Sequence, residues 1–295
     1  MERIRPEAIP AFSFVSEFRG IERLAQGADL KPTRAGSPPD PGGEDRPVVQ
    51  VDQWEEPAVA EALGTTWEER RGRRRWSNER YRMSLILRNN LHAGQDVVDV
   101  GCGPGFYVPH YLDRVGPEHT HLVDQSRQML AHCRERYPNL LPGNLVQGSI
   151  YKLPFPDGRF DAVVNCDVLM HIPRYREALA ELYRICNPNG GRVFLRVNLT
   201  DGPTYGDLPA AESPDPGYIY WIAYGRQEFA ASLRQVGPAS VALIDRICRK
   251  PLKRGGDPFI ADAAIVVLTK GEPRHRLRRG TLLGHMVRTM ALLEA

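Results

Sequence analysis

Three hydrophobic rhythms succeed one another along the chain. In the first stretch, Phe12, Phe14, Phe18, Ile21 and Leu24 make a short amphipathic pattern. It runs into KPTRAGSPPDPGGEDRP, residues 31–47, where five prolines and three glycines fall in seventeen positions. That composition sustains neither a helix nor a central strand, so residues 1–51 read as an N-terminal extension with a flexible linker. Between 52 and 92 the apolar residues recur at roughly helical spacing, through Trp54, Ala58, Leu63 and Trp67 and again through Trp76, Met83 and Leu87, with Gly72 between the two runs. This spacing predicts a helical cap.

From residue 96 the rhythm changes again, and short apolar runs alternate with helical patterns. Strands are predicted at 96–101, 120–124, 144–149, 159–167 and 192–198, with helices at about 106–115, 127–137, 174–186 and 226–236. Ser126 is placed to cap the second of these helices. Two last strands, 240–249 and 259–269, are expected to pair antiparallel across a loop holding Gly255 and Gly256. Alternating strands and helices imply a parallel sheet covered on both faces. The predicted fold class is therefore α/β: a doubly wound, mostly parallel seven-stranded sheet with an antiparallel last strand, over residues 93–270, preceded by a helical N-terminal extension. Residues 199–225 read as an irregular, aromatic insertion, and 271–295 as a basic tail with the pattern of a docking helix.

Composition narrows the classes. The 295 residues carry 39 basic and 36 acidic side chains, a net charge of +3, too balanced for a histone-like nucleic-acid binder. The apolar fraction of 42% suits a globular core. Cys102, Cys133, Cys166, Cys186 and Cys248 are scattered and form no C-x-x-C pair, which argues against a disulfide framework or a cysteine zinc site and for a reducing compartment. No apolar run reaches 18 residues and the N-terminus lacks a signal-peptide core. No membrane span is expected, and the expected location is cytoplasmic. His119 and His121 have ligand spacing on one strand face but no third ligand nearby in sequence, so no metal is expected.

The chemistry centres on the turn after the first strand, Asp99-Val-Gly101-Cys-Gly103-Pro-Gly105. Glycines there permit close backbone approach to a ligand. A dinucleotide loop would need glycine at 106, which is Phe106, and no P-loop pattern is present. An acid two residues before the first glycine suits a ligand carrying an ammonium group and would repel a pyrophosphate. Asp124, at the tip of the second strand, is placed to take both hydroxyls of a ribose.

These motifs carry a resemblance. VVDVGCGPG (97–105), LVD (122–124), LPFPDGRFDAVV (153–164), DVLMHI (167–172) and ALAELYRICNPNGGRVFL (178–195) resemble the class I S-adenosylmethionine-dependent methyltransferases, most of all the small-molecule branch with the ubiquinone and menaquinone (type 11) methyltransferases. The resemblance implies S-adenosyl-L-methionine as cofactor and a Rossmann-like fold. It implies that Asp99, Gly101, Gly103 and Gly105 hold the methionine part, Asp124 the ribose, and Gln125 the neighbourhood of the adenosine. Where the family often has an Asp on the adenine amino group, this chain has Ser149 and Ile150. Asn165 would line the methionine end.

A sulfonium methyl is already activated, so such an enzyme chiefly positions its acceptor and removes a proton. His171 is the candidate base, matching a histidine of the resembling motif; its other reading is a structural histidine bonded to a neighbouring carbonyl. Asp167 either orients a substrate amine or caps a strand end. Tyr205, Tyr218, Tyr220, Trp221 and Tyr224 of the insertion are candidates for an apolar pocket wall, against ordinary packing of a lid. Arg70, Arg71, Arg73, Arg74 and Arg75 either meet an anion such as RNA phosphate or form a solvated face balanced by Glu68, Glu69 and Glu79.

The expected activity is methyl transfer to a small organic acceptor, oxygen first, then nitrogen or carbon, by a monomer or homodimer. An RNA or protein methyltransferase and a non-catalytic cofactor-binding scaffold stay open as rivals. Residues 165–168 read Asn-Cys-Asp-Val rather than the N-P-P-Y tetrad of many nucleic-acid and protein amine methyltransferases, which weighs against a nucleic-acid partner. Residues 1–93 carry 15 basic and 15 acidic side chains, 94–270 carry 19 and 19, and 271–295 carry 5 and 2. The whole net charge thus lies in the tail, outside the expected catalytic domain.

Overall fold

A computed structural model of the protein describes residues 78–172, 174–207, 221–254, 257–275 and 277. The N-terminal extension, the linker, the arginine run at 70–75, Tyr218, Tyr220 and nearly all of the basic tail lie outside the described residues. The chain enters through α1 (Asn78–Asn90) and then alternates: β1 (Val97–Val100), α2 (Leu112–Val115), β2 (Thr120–Asp124), α3 (Arg127–Arg136), β3 (Leu145–Gln147), β4 (Ala162–Cys166), α4 (Tyr175–Ile185) and β5 (Arg192–Thr200). There follow β6 (Tyr205–Asp207), β7 (Trp221–Gly225), α5 (Arg226–Gln235), β8 (Ser240–Arg254) and β9 (Asp257–Thr269).

The strands of the sheet centre are apolar along their length because both faces are covered. Every residue of β1, β4 and β5 is buried, the behaviour of parallel strands between two helical layers. On one face Val98, Val163 and Val193 meet the stripe Ala178, Leu179, Leu182 and Ile185 of α4. On the other, Val97, Val164 and Phe194 meet Met83 and Leu87 of α1 and Cys133 of α3. Ser126 caps α3 as expected, its hydroxyl accepting from the Met129 amide at 3.3 Å.

The pairing is parallel in the order β3, β2, β1, β4, β5. Beyond β5 lies β9, antiparallel to β5 and to β8. The last strand is therefore the reversed one, and β8 runs parallel to β5. Two elements differ from expectation. The helix at 106–115 is broken into a 3-10 turn, Val108–His110, and the single turn α2, because Pro109 has no amide to donate and Gly116, at φ +94°, ends the run. The insertion is not wholly irregular. β5 continues to Thr200, and β7 pairs parallel with its last two residues, while β6 pairs antiparallel with β7.

That small ladder has a topological consequence. Arg192 pairs with both Ala162 and Thr269, and Leu199 with both Tyr224 and Asp262. β7 thus occupies the same side of β5 as β4, just past the point where β4 stops. The chain leaving β4 cannot stay in the sheet. It turns out at Asp167, whose φ of +65° is the sole positive value for a non-glycine among the described residues.

Behind the sheet, the turn at 187–191 is locked by the chain after β9. The Gly190 amide donates to the Lys270 carbonyl and the Lys270 amide to the Gly191 carbonyl. Gly271 sits at φ +69°, and a Cβ there would run into the Pro188 carbonyl oxygen. Gly271→Ala is expected to lower stability by about 2 kcal/mol, read as a lower urea midpoint at unchanged denaturant slope.

Candidate active site

The glycine loop lies across the carboxyl ends of β1 and β2. Both the Gly101 and Cys102 amides donate to the Val123 carbonyl, at 2.7 and 3.1 Å. Gly101, at φ +70°, has no room for a side chain: a Cβ would stand 2.5 Å from Val168 Cγ2. Gly103 differs, for a Cβ there would meet nothing within 4 Å, so this is where the loop faces open space.

Side chains of α3 and its C-cap hold the loop from behind. Cys133 Sγ donates to the Gly103 carbonyl at 3.2 Å, Arg136 Nη1 to the Pro104 carbonyl at 2.6 Å, and the Tyr137 hydroxyl to the Gly105 carbonyl at 2.8 Å. Three consecutive carbonyls are thus turned toward α3. On the opposite side the Gly103 amide donates to Asp124 Oδ2 at 2.8 Å, and the Ser126 amide to Asp124 Oδ1 at 3.0 Å.

Two buried polar groups flank the loop. Asp99, 2% exposed, accepts from the Tyr111 hydroxyl at 2.9 Å. Burial pushes its carboxyl up to about 7, the Tyr111 bond works against that, and the nearby Asp124 adds to it. Asn165, fully buried, donates through Nδ2 to the Val100 carbonyl at 2.8 Å, and its Oδ1 has no partner among the described residues.

The remaining predicted residues gather on the same carboxyl edge. Asp124 and Gln147 are register partners; the Gln125 carbonyl accepts from Gln147 Nε2 at 2.9 Å. Ser149 forms the next turn, its hydroxyl accepting from the Tyr151 amide at 3.3 Å, and Ile150 packs against the core. His171 ends a 3-10 turn, Leu169–His171, directly after β4, and its amide donates to the Val168 carbonyl. Tyr224, 1% exposed, stacks with Tyr175 and Phe229 and donates its hydroxyl to the Leu169 and Ile172 carbonyls at 2.6 and 3.1 Å. Two backbone carbonyls of the histidine turn thus take its hydroxyl, and its ring packs in the core. Of the other insertion aromatics, Tyr205 and Trp221 fall on β6 and β7.

A polar cluster around Asp167 was missed by sequence reasoning. Arg196, 2% exposed in the middle of β5, forms an ion pair with Asp167 Oδ1. The Tyr107 hydroxyl donates to Asp167 Oδ2 at 3.3 Å, and the Asp167 amide donates to the Arg196 carbonyl at 3.4 Å. Asn198, two residues on, donates to Met170 Sδ at 3.3 Å. The signal was available: an arginine inside the apolar run RVFLRVN must find an acceptor when buried. Among the described residues no His/Cys/Asp/Glu group could hold a metal ion.

With this geometry in place, likeness to known proteins is informative. Residues 98–194 match the family model described as a methyltransferase domain. That stretch is similar to methyltransferase domains of the type 11 kind. A demethylmenaquinone methyltransferase of Geobacillus kaustophilus is 31% identical over 122 residues, 40% of this chain and 52% of that protein. One from Listeria welshimeri is 32% identical over 114 residues, 38% of this chain and 48% of that protein. The chain spans about half the length of these curated relatives. A solved structure, 1,6-didemethyltoxoflavin-N1-methyltransferase of Burkholderia thailandensis with 1,6-didemethyltoxoflavin and S-adenosylhomocysteine, is 19% identical with a TM-score of 0.49, covering 72% of this chain and 88% of that one.

The residues present fit the cofactor of this family: a buried carboxylate and an orphaned buried amide oxygen flank a loop whose middle glycine opens onto space, with a second carboxylate, Asp124, beside it. The buried carboxyl also sets a pH signature. Native Asp99 keeps its proton up to about pH 7, whereas the unfolded carboxyl loses it near 3.8. Its contribution to stability is full below the lower value and is lost as pH rises through the higher one. Unfolding midpoints of the wild type and Asp99→Asn, compared from pH 4 to 8, are expected to show a fall in the wild type that the variant lacks, amounting to a few kcal/mol at most.

Proposed function

We propose that the protein transfers a methyl group from S-adenosyl-L-methionine to a small organic acceptor, oxygen first, then nitrogen or carbon, in the cytoplasm. The observation that carries the reading is the acid-flanked glycine loop, pinned by α3 and bonded to Asp124, within a methyltransferase domain. The menaquinone relatives act, by their names, on a small molecule, which supports that acceptor class. None of the described helices is long and apolar enough to cross a membrane, and the four described cysteines are free, which suits a reducing compartment.

When bound, the cofactor supplies an electrophilic sulfonium methyl; the protein's part is placement and proton handling. Asp99 and the Gly101–Gly105 loop would hold the amino-acid end, with Asn165 Oδ1 as a further acceptor for its ammonium. Asp124 would exchange its bond to the Gly103 amide for the ribose hydroxyls. Ser149 and Ile150 would border the adenine, and Gln125 the adenosine. Asp167, set by Arg196 and Tyr107, would orient the acceptor, and His171 would take its proton. Alignment of acceptor and methyl in a closed site supplies most of the rate.

Calorimetry with S-adenosylmethionine and S-adenosylhomocysteine tests the first half. Binding is expected to weaken about tenfold or more in Asp124→Asn, from lost charge-assisted bonds. Binding should also tighten as pH rises from 5 to 7, by up to about tenfold per unit, with a proton released as Asp99 ionises beside the ammonium. No binding at all by the wild type would overturn the reading. Turnover of labelled cofactor with a metabolite extract tests the second half. His171→Ala is expected to cut transfer by about 10²-fold or more at unchanged cofactor affinity; unchanged transfer would remove the base.

A further inference from the structure

The edge of the sheet opposite the glycine loop carries a second polar site. β5 begins there with Arg192, only 8% exposed. Arg192 Nη2 donates to the His275 carbonyl, and Nη1 to Asn90 Oδ1 at 3.4 Å. Its Nε is buried and has no partner, and no carboxylate pairs with the guanidinium among the described residues. A buried cation with an unmatched donor is expensive, because neither water nor a counter-charge replaces its hydration.

Arg192 lines a cavity of about 150 Å3, together with Asn90, His92, Asp161, Arg274 and His275. Asp161 is the one acid among the described residues of that lining, and its oxygens are already engaged. Oδ2 accepts from the Asp96 amide at 3.2 Å; Oδ1 accepts from Asn187 Nδ2 at 3.1 Å and faces Arg274 Nη1 at 3.5 Å. Two guanidinium groups and one committed carboxylate thus line the same cavity, and only Arg274 pairs with that carboxylate. That space has room for a small ion together with water.

We propose that this cavity is a binding site for a small oxyanion, inorganic phosphate or the carboxylate of a short acid, held by Arg192 and Arg274. Arginine grips two-oxygen groups with its planar fork, and each Nη of Arg192 carries a second N–H beyond the one bonded to His275 or Asn90. Arg274, half exposed, adds a second positive charge at the mouth. The site is separate from the cofactor loop and does not depend on the methyltransferase reading: Arg192 opens β5, four residues before the Arg196 that pairs with Asp167.

The test is thermal unfolding and calorimetry of the full chain with sodium phosphate or sodium acetate, balanced against sodium chloride at equal ionic strength. The expected result is a saturable rise in the midpoint with at least one of the two anions. Phosphate alone would identify a tetrahedral ligand, acetate alone a carboxylate. Apparent affinity should drop about tenfold in Arg192→Gln, the cost of a charge-assisted bond, and measurably in Arg274→Ala, an exposed position whose folding is checked by circular dichroism. A linear rise without saturation, as excluded salts give, an effect no larger than chloride's, or a folded Arg274→Ala that responds like the wild type would each overturn the proposal.

Discussion

Three consecutive carbonyls of one loop are bound by three side chains at the end of one helix, and the rest of the site depends on that. Cys133, Arg136 and Tyr137 take the carbonyls of Gly103, Pro104 and Gly105. The preceding peptide is held separately: its Cys102 carbonyl accepts from the Gly105 amide, and its Gly103 amide donates to Asp124. The helix can do this because Ser126 starts it immediately after β2, which places its last turn over the carboxyl end of β1. Loop, helix and Asp124 are thus joined across two successive strands, β1 and β2, by side-chain hydrogen bonds.

The second constraint is topological. β7 fills the place on β5 that a longer β4 would occupy, and the chain leaves the sheet at Asp167. Arg196 binds that residue through both its side chain and its carbonyl. Tyr224, on β7, then supports the following turn through two of its carbonyls. The insertion thus shapes the site from beneath, through backbone bonds to the segment that bears His171.

Much of the fold was legible because its cause is local or periodic. Uninterrupted apolar runs such as AVVNC mark strands buried on both faces, and the spacing of Ala178, Leu179, Leu182 and Ile185 marks a helix stripe. Glycine spacing and the acids Asp99 and Asp124 were legible for the same reason, since a tight turn constrains residue type at each position. Apolar periodicity over 106–115 predicts one helix, which Pro109 and Gly116 break into two short turns. The β6–β7 ladder leaves no local pattern because its pairing partner, the end of β5, is twenty or more residues away in sequence from β7.

The amino-acid sequence by itself therefore determined the order of elements, the parallel sheet, the reversed last strand and the glycine turn after the first strand, since these follow from periodicity and from backbone limits at particular positions. Only the tertiary structure decided which side chains share a charge or a bond: Tyr111 on Asp99, Arg196 on Asp167, Arg136 on the loop, and Arg192 beside a cavity at the far edge. Such pairings join residues from 12 to 32 positions apart on separate elements. They arise when the packing of two layers removes water from polar groups, and a linear pattern of hydrophobicity does not encode which of them then meet.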